Sequence, residues 1–354
     1  MNQKAIYDRI FLLDFLKALS IIAVVSFHGI FVPESAYAIS KYWVDILFSP
    51  LRFCVPILFT ISFFLLKKSI DENCEKNIFE LAKIRLSRIL MPTFFWFLIA
   101  GFIRQMGRAP VWLPLVQGKI FPGAYYLLAM IVLMPLFFWV SPWLAKLRNL
   151  TIFLIAQCCV FGLIYLCIIH LPNSHLIQGL RLMARSFPIY WFVYMAIGAY
   201  FYENYPLLLK CSMGISIKVK SLSIIVTALL ISFEYGYLRH IVGEQPRPFE
   251  YAMFSCIVSV FTLFLCFANI EANNFPKWAL SMIQNFSRYS LGIFCINGIT
   301  SLVLLKIGIS VFRDSQFSLL EITIFRIFGS VFLIYLSLWL SQLLERVGLR
   351  SCVR

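Results

Sequence analysis

Charge is scarce in this chain. Asp, Glu, Lys and Arg make up 13% of its 354 residues, about half of the roughly 25% usual in soluble domains. Acid is scarcer than base: 16 Asp and Glu stand against 31 Lys and Arg, a net charge of +15. A water-soluble fold must keep much of its surface polar. With 61% hydrophobic residues and a mean hydropathy of +0.86, that surface cannot be built. Soluble enzymes and disordered tails are excluded, and 16 Gly without a short period exclude a collagen-like fibre. Cysteine offers no framework either. The 10 Cys are scattered, and Cys158, Cys159, Cys167, Cys256, Cys266 and Cys295 lie inside apolar stretches. They read as small buried hydrophobes, and no metal-ligand spacing occurs, so no metal is expected. No cleavable signal peptide is expected, because the first apolar stretch carries Asp14, Lys17 and His28 and no small-residue cleavage site follows.

What is abundant is long apolar runs. Ten are long enough to cross a bilayer, which takes about 17–25 residues: 10–32, 46–66, 89–106, 123–142, 150–171, 187–203, 221–240, 250–270, 289–308 and 319–343. No loop between them is long enough for a soluble domain. The expected fold is therefore all-α, a polytopic membrane helical bundle forming one domain over residues 1–354. With the N-terminus in the cytoplasm, 18 Lys and Arg fall on the inner side and 10 on the outer side. That bias predicts cytoplasmic termini, and an even number of spans agrees. In this setting the excess of base fixes topology and meets anionic membrane lipids, so nucleic acid is not an expected partner.

Ionisable residues inside a membrane cost roughly 2.5–3.5 kcal/mol each on insertion scales, and so are functional candidates. On a helix, Lys17 and His28 are eleven residues apart and fall within about 20° of one another, with Asp14 about 40° from His28. Asp14, Lys17 and His28 are expected to form one polar stripe facing the bundle interior. An i,i+3 ion pair with a snorkelling lysine accounts for Asp14 and Lys17 alone; it does not account for the aligned His28. In the second span Arg52 stands at the outer end, Ser62 near the inner end, and Pro56 between them frees a backbone carbonyl. Taken singly, Arg52 reads as an interfacial anchor and Ser62 as a back-bonded hydroxyl. After the 67–88 loop, Arg85 and Arg88 sit three apart on a helix entering the membrane. Guanidinium forks suit phosphate, and with Lys67, Lys68 and Lys83 they can hold a nucleotide-like anion. Positive-inside charge is the competing reading.

In this order the features resemble the acyltransferase-3 family of bacterial integral-membrane acyltransferases, especially its surface-polysaccharide O-acetyltransferase branch. The first signature, L-D-x-L-R, ten residues, then His, corresponds to Leu13-Asp14-Phe15-Leu16-Lys17 and His28. The second corresponds to Arg52 through Phe59 and to Ile61-Ser62-Phe63-Phe64-Leu65. R-x-x-R-I-x-x-P is Arg85, Arg88, Ile89 and Pro92; an aromatic entry to the fourth span is Tyr125-Tyr126-Leu127-Leu128; S-L-G-I-[YF] is Ser290 through Phe294. Four positions depart from the family pattern: Lys17 replaces Arg, Phe63 replaces Gly, and Ala124 and Asn297 each replace His.

The resemblance implies an acyl-CoA co-substrate, acetyl-CoA, in the cytoplasm. It implies a glycan or lipid-linked saccharide hydroxyl as acceptor, and a place in a bacterial inner membrane. It casts His28, Lys17 and Asp14 as catalytic, Arg85, Arg88 and Ser62 as donor-binding, and Arg52, Tyr125, Tyr126 and Asn297 as substrate-binding. His28 would act as general base or as an acyl carrier, with Lys17 or Arg52 opposing a developing oxyanion. Tyr190 and Trp191 join the tyrosines as candidates for sugar stacking, against a stronger reading as interfacial belt residues. Two alternatives stay open: a catalytically degenerate family member, and a transporter or flippase using the stripe as a proton relay. No inverted repeat of broken helices supports the latter.

Overall fold

A computed structural model describes residues 10–73, 77–144, 146–243 and 246–354. Lys4, Arg9 and Lys76, which enter the charge count, lie outside the described residues. The secondary structure described is entirely helical. In chain order the helices are α1 (Phe11–Phe27), α2 (Lys41–Phe48), α3 (Cys54–Glu72), α4 (Ile78–Met106), α5 (Trp112–Val116), α6 (Ala124–Leu144), α7 (Leu147–His170) and α8 (His175–Met183). There follow α9 (Phe192–Glu203), α10 (Tyr205–Gly214), α11 (Ile217–Val242), α12 (Phe254–Phe267), α13 (Lys277–Arg288), α14 (Ser290–Val311), α15 (Leu319–Arg346) and α16 (Arg350–Val353). Several starts are set by local chemistry. Asn77, Ser216 and Ser318 accept backbone N–H bonds at the heads of α4, α11 and α15, and Glu321 completes a capping box with Ser318.

Every expected span falls on a helix, but the spans are not equally long. Among the described residues seven helices are long and apolar enough to cross a membrane, or eight if the bent pair Tyr205–Gly214 and Ile217–Val242 counts as one span. The two shortfalls are α1, with 17 residues, and α9, with 12. Both lie in the interior. Eight of the twelve α9 residues are buried, and its packing along α3 is the most extensive helix contact in the bundle. Gly198 makes that approach possible: a Cβ there would lie 2.6 Å from the Thr60 carbonyl oxygen and 2.9 Å from Phe63 Cβ. The longer helices instead turn large apolar side chains outward, among them Phe94, Phe102, Trp139, Phe233, Phe328 and Trp339. So much exposed apolar surface on α4, α6, α11 and α15 is what lipid-facing helices present.

Two expectations are corrected here. Cys158 and Cys159 are exposed on α7 rather than buried, whereas Cys256, Cys266 and Cys295 are buried; adjacent residues on a peripheral helix need not both face inward. Tyr190 and Trp191 are fully buried and do not form an interfacial belt. They sit at the head of α9, the central helix, and aromatic rings fill the space around it.

Candidate functional site

α3 organises the site. At one end, Arg85 of α4 donates from Nη2 to the Ser69 hydroxyl. Seven residues back along α3, Ser62 Oγ and Tyr126 OH share a hydrogen bond of 2.8 Å, and Ser62 also donates to the Leu58 carbonyl at 2.8 Å. An open cleft of about 200 Å³ joins the two levels. It is lined by Ser62, Arg85, Arg88, Pro92, Tyr126 and Leu291, with Leu127, Met130 and Met134 among its apolar wall residues. Residues of four separate sequence signatures thus converge on one cavity. Arg85 is half-buried and Arg88 exposed, so the cleft has one cation anchored by Ser69 and one open to solvent. Two of the three lysines of the same segment are otherwise engaged: Lys67 reaches Asp71 and Glu203, each at 2.7 Å, and Lys68 lies 3.6 Å from Glu72. Lys83 is exposed on α4.

The first-span residues separate into two groups. Asp14 accepts a 2.5 Å hydrogen bond from Ser287 of α13, and Lys17 is electrostatically coupled to Asp14. His28 ends α1 as its C-cap residue, its backbone N–H bonded to the Val25 carbonyl. The charges acting on the His28 ring are those of Arg185, Arg247 and Arg326. The three residues do not form one contact group: eleven residues of helix hold Lys17 and His28 about 16 Å apart. The four departures are also visible. Phe63 is buried and packs against Phe137 at 5.1 Å, so the close approach to α3 is made by Gly198 of the facing helix. Ala124 is buried at the head of α6. Asn297 is fully buried in α14, and neither its Oδ1 nor its Nδ2 has a hydrogen-bond partner, an arrangement that buried amides seldom tolerate.

At the opposite end of α3 the charges are unequal. Arg52, in the turn before α3, lies with Nη1 3.9 Å from Glu250 Oε1 and its guanidinium 4.0 Å from the Tyr235 ring centroid. Arg185 donates to the same Glu250 oxygen and lies over the Tyr125 and Tyr251 rings at 5.5 and 5.6 Å. Trp191 holds the segment, donating from Nε1 to the Arg185 carbonyl at 2.8 Å. The residue before Arg185, Ala184, adopts φ 55°, a strained conformation worth roughly 1–3 kcal/mol that surrounding contacts must impose. Burial and the like charge of Arg247 hold Arg185 down to about 10. Lys119 is also held below the usual lysine range, by partial burial and by Arg185 and Arg247. Arg326 donates from Nε to the Ser26 carbonyl at 2.8 Å and stacks 3.8 Å from the Phe48 centroid, so it covers the last turn of α1 beside His28. Tyr125 is buried here, donating to Tyr251 at 3.0 Å and stacked on Trp191.

Sequence reasoning missed Arg185, Arg247 and Glu250 as site residues, and counted Arg326 only as a charge inside a span. For Arg326 that position was itself the signal. Arg185, Arg247 and Glu250 sit in short connections with no motif around them.

An all-α bundle with membrane-spanning helices and a cation-edged cleft between them defines an integral-membrane protein built to handle a ligand at the bilayer. Residues 10–345 match the sequence profile described as an acyltransferase domain, and the chain belongs to that acyltransferase-3 family. The family is broad, and the match does not single out one branch within it. No curated protein and no solved structure matches the chain.

Proposed function

We propose that this membrane acyltransferase moves an acetyl group from cytoplasmic acetyl-CoA to a hydroxyl of a glycan or lipid-linked saccharide on the far side of a bacterial inner membrane. The observation that carries this reading is the cleft from Arg85 and Arg88 to the Ser62–Tyr126 pair. Its mouth supplies guanidiniums for the CoA phosphates. Its apolar wall suits a thin pantetheine arm, and its floor offers the hydroxyls of Ser62 and Tyr126. In this reading the chain works as one domain over residues 1–354, with ten spans counting the two short central helices, and with both termini cytoplasmic.

The chemistry is transfer without net redox change. The acceptor oxygen attacks the thioester carbonyl, a C–O bond forms, the C–S bond breaks, and the proton leaves through His28 to yield the free thiol of CoA. His28 suits this role because its ring makes no hydrogen bond among the described residues and is free to take a proton from a ligand. It serves equally as the nucleophile of an acyl-histidine intermediate. Asp14 and Lys17, one cytoplasmic helix turn apart, hold α1 against α13 in register with the cleft. Arg52 and Asn297 face acceptor and reacting carbonyl.

The test is consumption of acetyl-CoA thioester by purified protein in proteoliposomes, with thiol release recorded beside mass analysis of the acceptor. Thiol release coupled to an acceptor mass increase of one acetyl group supports the proposal. Its absence in folded protein refutes it and leaves the degenerate-member or transporter readings.

A further inference from the structure

We propose that the acceptor is an acid: a sugar bearing a carboxylate or phosphate, whose anionic group is held by Arg185 and Arg247, with Arg52 behind them, beside His28. This rests on the acyltransferase reading and specifies its substrate class. The reason is a charge imbalance that the described residues do not resolve among themselves. Of the carboxylates at this end, Asp45 is committed to Arg239 at 2.8 Å and Glu34 to Lys41 at 2.6 Å. Glu234 accepts from the Phe254 and Ser255 backbone N–H groups at 2.8 and 2.7 Å. Among the described residues Glu250 is then the carboxylate left to Arg52 and Arg185, with Arg247 and Lys119 near enough to Arg185 to act on one another. A single Glu250 oxygen, Oε1, serves both Arg52 and Arg185. Among the described residues no carboxylate pairs with Arg247 or Lys119, and both are exposed at the rim.

Hydrogen bonding is incomplete in a complementary way. The Nε atoms of Arg52 and Arg185 are buried donors without acceptors, and Glu250 Oε2 is a buried acceptor without a donor. Orphaned groups of this kind are uncommon in folded proteins. A neutral sugar supplies hydroxyls for Glu250 but leaves the excess guanidiniums unmatched. An acidic sugar supplies both, with an oxyanion for the arginines and hydroxyls for Glu250. The cluster also lies away from the donor end. From Cys54 to Ser69, where Arg85 bonds, α3 rises about 22 Å. CoA phosphates held at Arg85 and Arg88 therefore do not account for it. Buried Tyr125, Tyr251 and Trp191 pack beneath Arg185, so its guanidinium is held in place before any ligand arrives.

The test uses purified protein in a neutral maltoside detergent, with methyl glucoside, methyl glucuronide and glucose 1-phosphate as matched probes. Binding is followed by calorimetry, and acetyl transfer by thiol release. Binding of the glucuronide or the phosphate at least about tenfold tighter than the glucoside is expected, the loss that one charge-assisted contact produces. The tighter of the two identifies carboxylate or phosphate. Arg247→Gln, at the exposed rim, should remove most of that preference without altering the KM for acetyl-CoA. Arg185→Lys should retain part of it and Arg185→Gln none. Because Arg185→Gln strands buried Glu250, the pair Arg185→Gln/Glu250→Gln is measured beside it.

Equal binding of all three probes, or none, overturns the proposal. So does a preference untouched by Arg247→Gln and by the double variant. Loss of the preference on adding phosphatidylglycerol at lipid-like concentrations assigns the cations to headgroups and also overturns it. Arginine-dependent binding of an acid with no thiol release from any probe keeps the subsite and removes the acetyl-transfer reading instead.

Discussion

Arg85 and Arg88 line the same cleft but are not equivalent, and this makes the donor site testable. Arg88 is exposed, so a contact from it to a phosphate behaves as a surface ion pair worth roughly 0.2–1 kcal/mol. Arg85 is half-buried and already oriented by Ser69, so its contact belongs with charge-assisted bonds worth roughly 1.5–3 kcal/mol. At about 1.4 kcal/mol per factor of ten, Arg88→Gln should raise the KM for acetyl-CoA by no more than about fivefold, from about 1.4-fold upward. Arg85→Gln should raise it about 10- to 150-fold. Both should leave kcat nearly unchanged, because phosphates remote from the thioester are bound equally in ground and transition states. The assay is initial-rate thiol release at saturating acceptor across a salt series. Screening should erase the Arg88 contribution in the wild type and leave most of the Arg85 contribution intact. An Arg88 effect equal to or larger than that of Arg85, or a fall in kcat at constant KM, would refute phosphate binding at this cleft.

Other substitutions separate chemistry from architecture. His28→Ala should abolish acetyl transfer with little change in thermal stability, since its ring makes no hydrogen bond among the described residues; near wild-type glycan acetylation at equal expression would remove it from catalysis. Lys17→Arg should remain active, whereas Lys17→Ala should cut the yield of folded protein, because it removes a cation that acts on Asp14 inside the bundle; full activity and yield would reduce Lys17 to an anchor. Gly308→Ala should lower stability by about 1–3 kcal/mol and impair activity as well. Its Cβ would overlap the Phe31 carbonyl oxygen and displace the segment that follows His28. A fluorescence-detected melt with parallel turnover measurements decides, and an unshifted melting temperature would contradict that packing. Single cysteines placed at Lys83 and Gly243 should be labelled from opposite sides of the membrane, and labelling from one side would overturn the span order.

The membrane-bundle class was legible because it rests on composition and on run length, which survive without knowledge of any contact. The span count was less legible at α1 and α9 for a physical reason. A buried central helix and a lipid-facing helix are both apolar, and only packing distinguishes the twelve residues of Phe192–Glu203 from a full crossing. The cleft was legible residue by residue, since Ser62, Arg85, Arg88, Tyr126 and Leu291 each lie in a local pattern. Their convergence was not, because it depends on how α3, α4, α6 and α14 pack. Helical periodicity drew attention to Asp14, Lys17 and His28 along α1. It did not reveal that His28 answers to charges from other parts of the chain.

The cationic end of α3 shows where periodicity runs out. Glu250 is separated by 65 residues from Arg185 and by far more from Arg52, and these residues come from three separate connections. In a soluble protein such a Glu–Arg cluster would be one surface network among many, each pair worth little. Here Glu250 is 1% exposed and the bundle around it is apolar, so the same charges interact with much less screening. A fold that sets two guanidiniums on one buried Glu250 oxygen with a third, Arg247, acting on Arg185, and holds Ala184 at a strained φ beside Arg185, bears a cost in stability. Neutralising one of those cations should therefore stabilise the empty protein while weakening the site. Arg247→Gln is the variant to examine, because it is exposed, has no carboxylate partner among the described residues, and lies next to Arg185. It should raise the melting temperature slightly in the absence of acceptor and shrink the further rise that an acidic acceptor produces. A lower melting temperature without ligand would mean that Arg247 is structural, and that the imbalance is already answered within the fold.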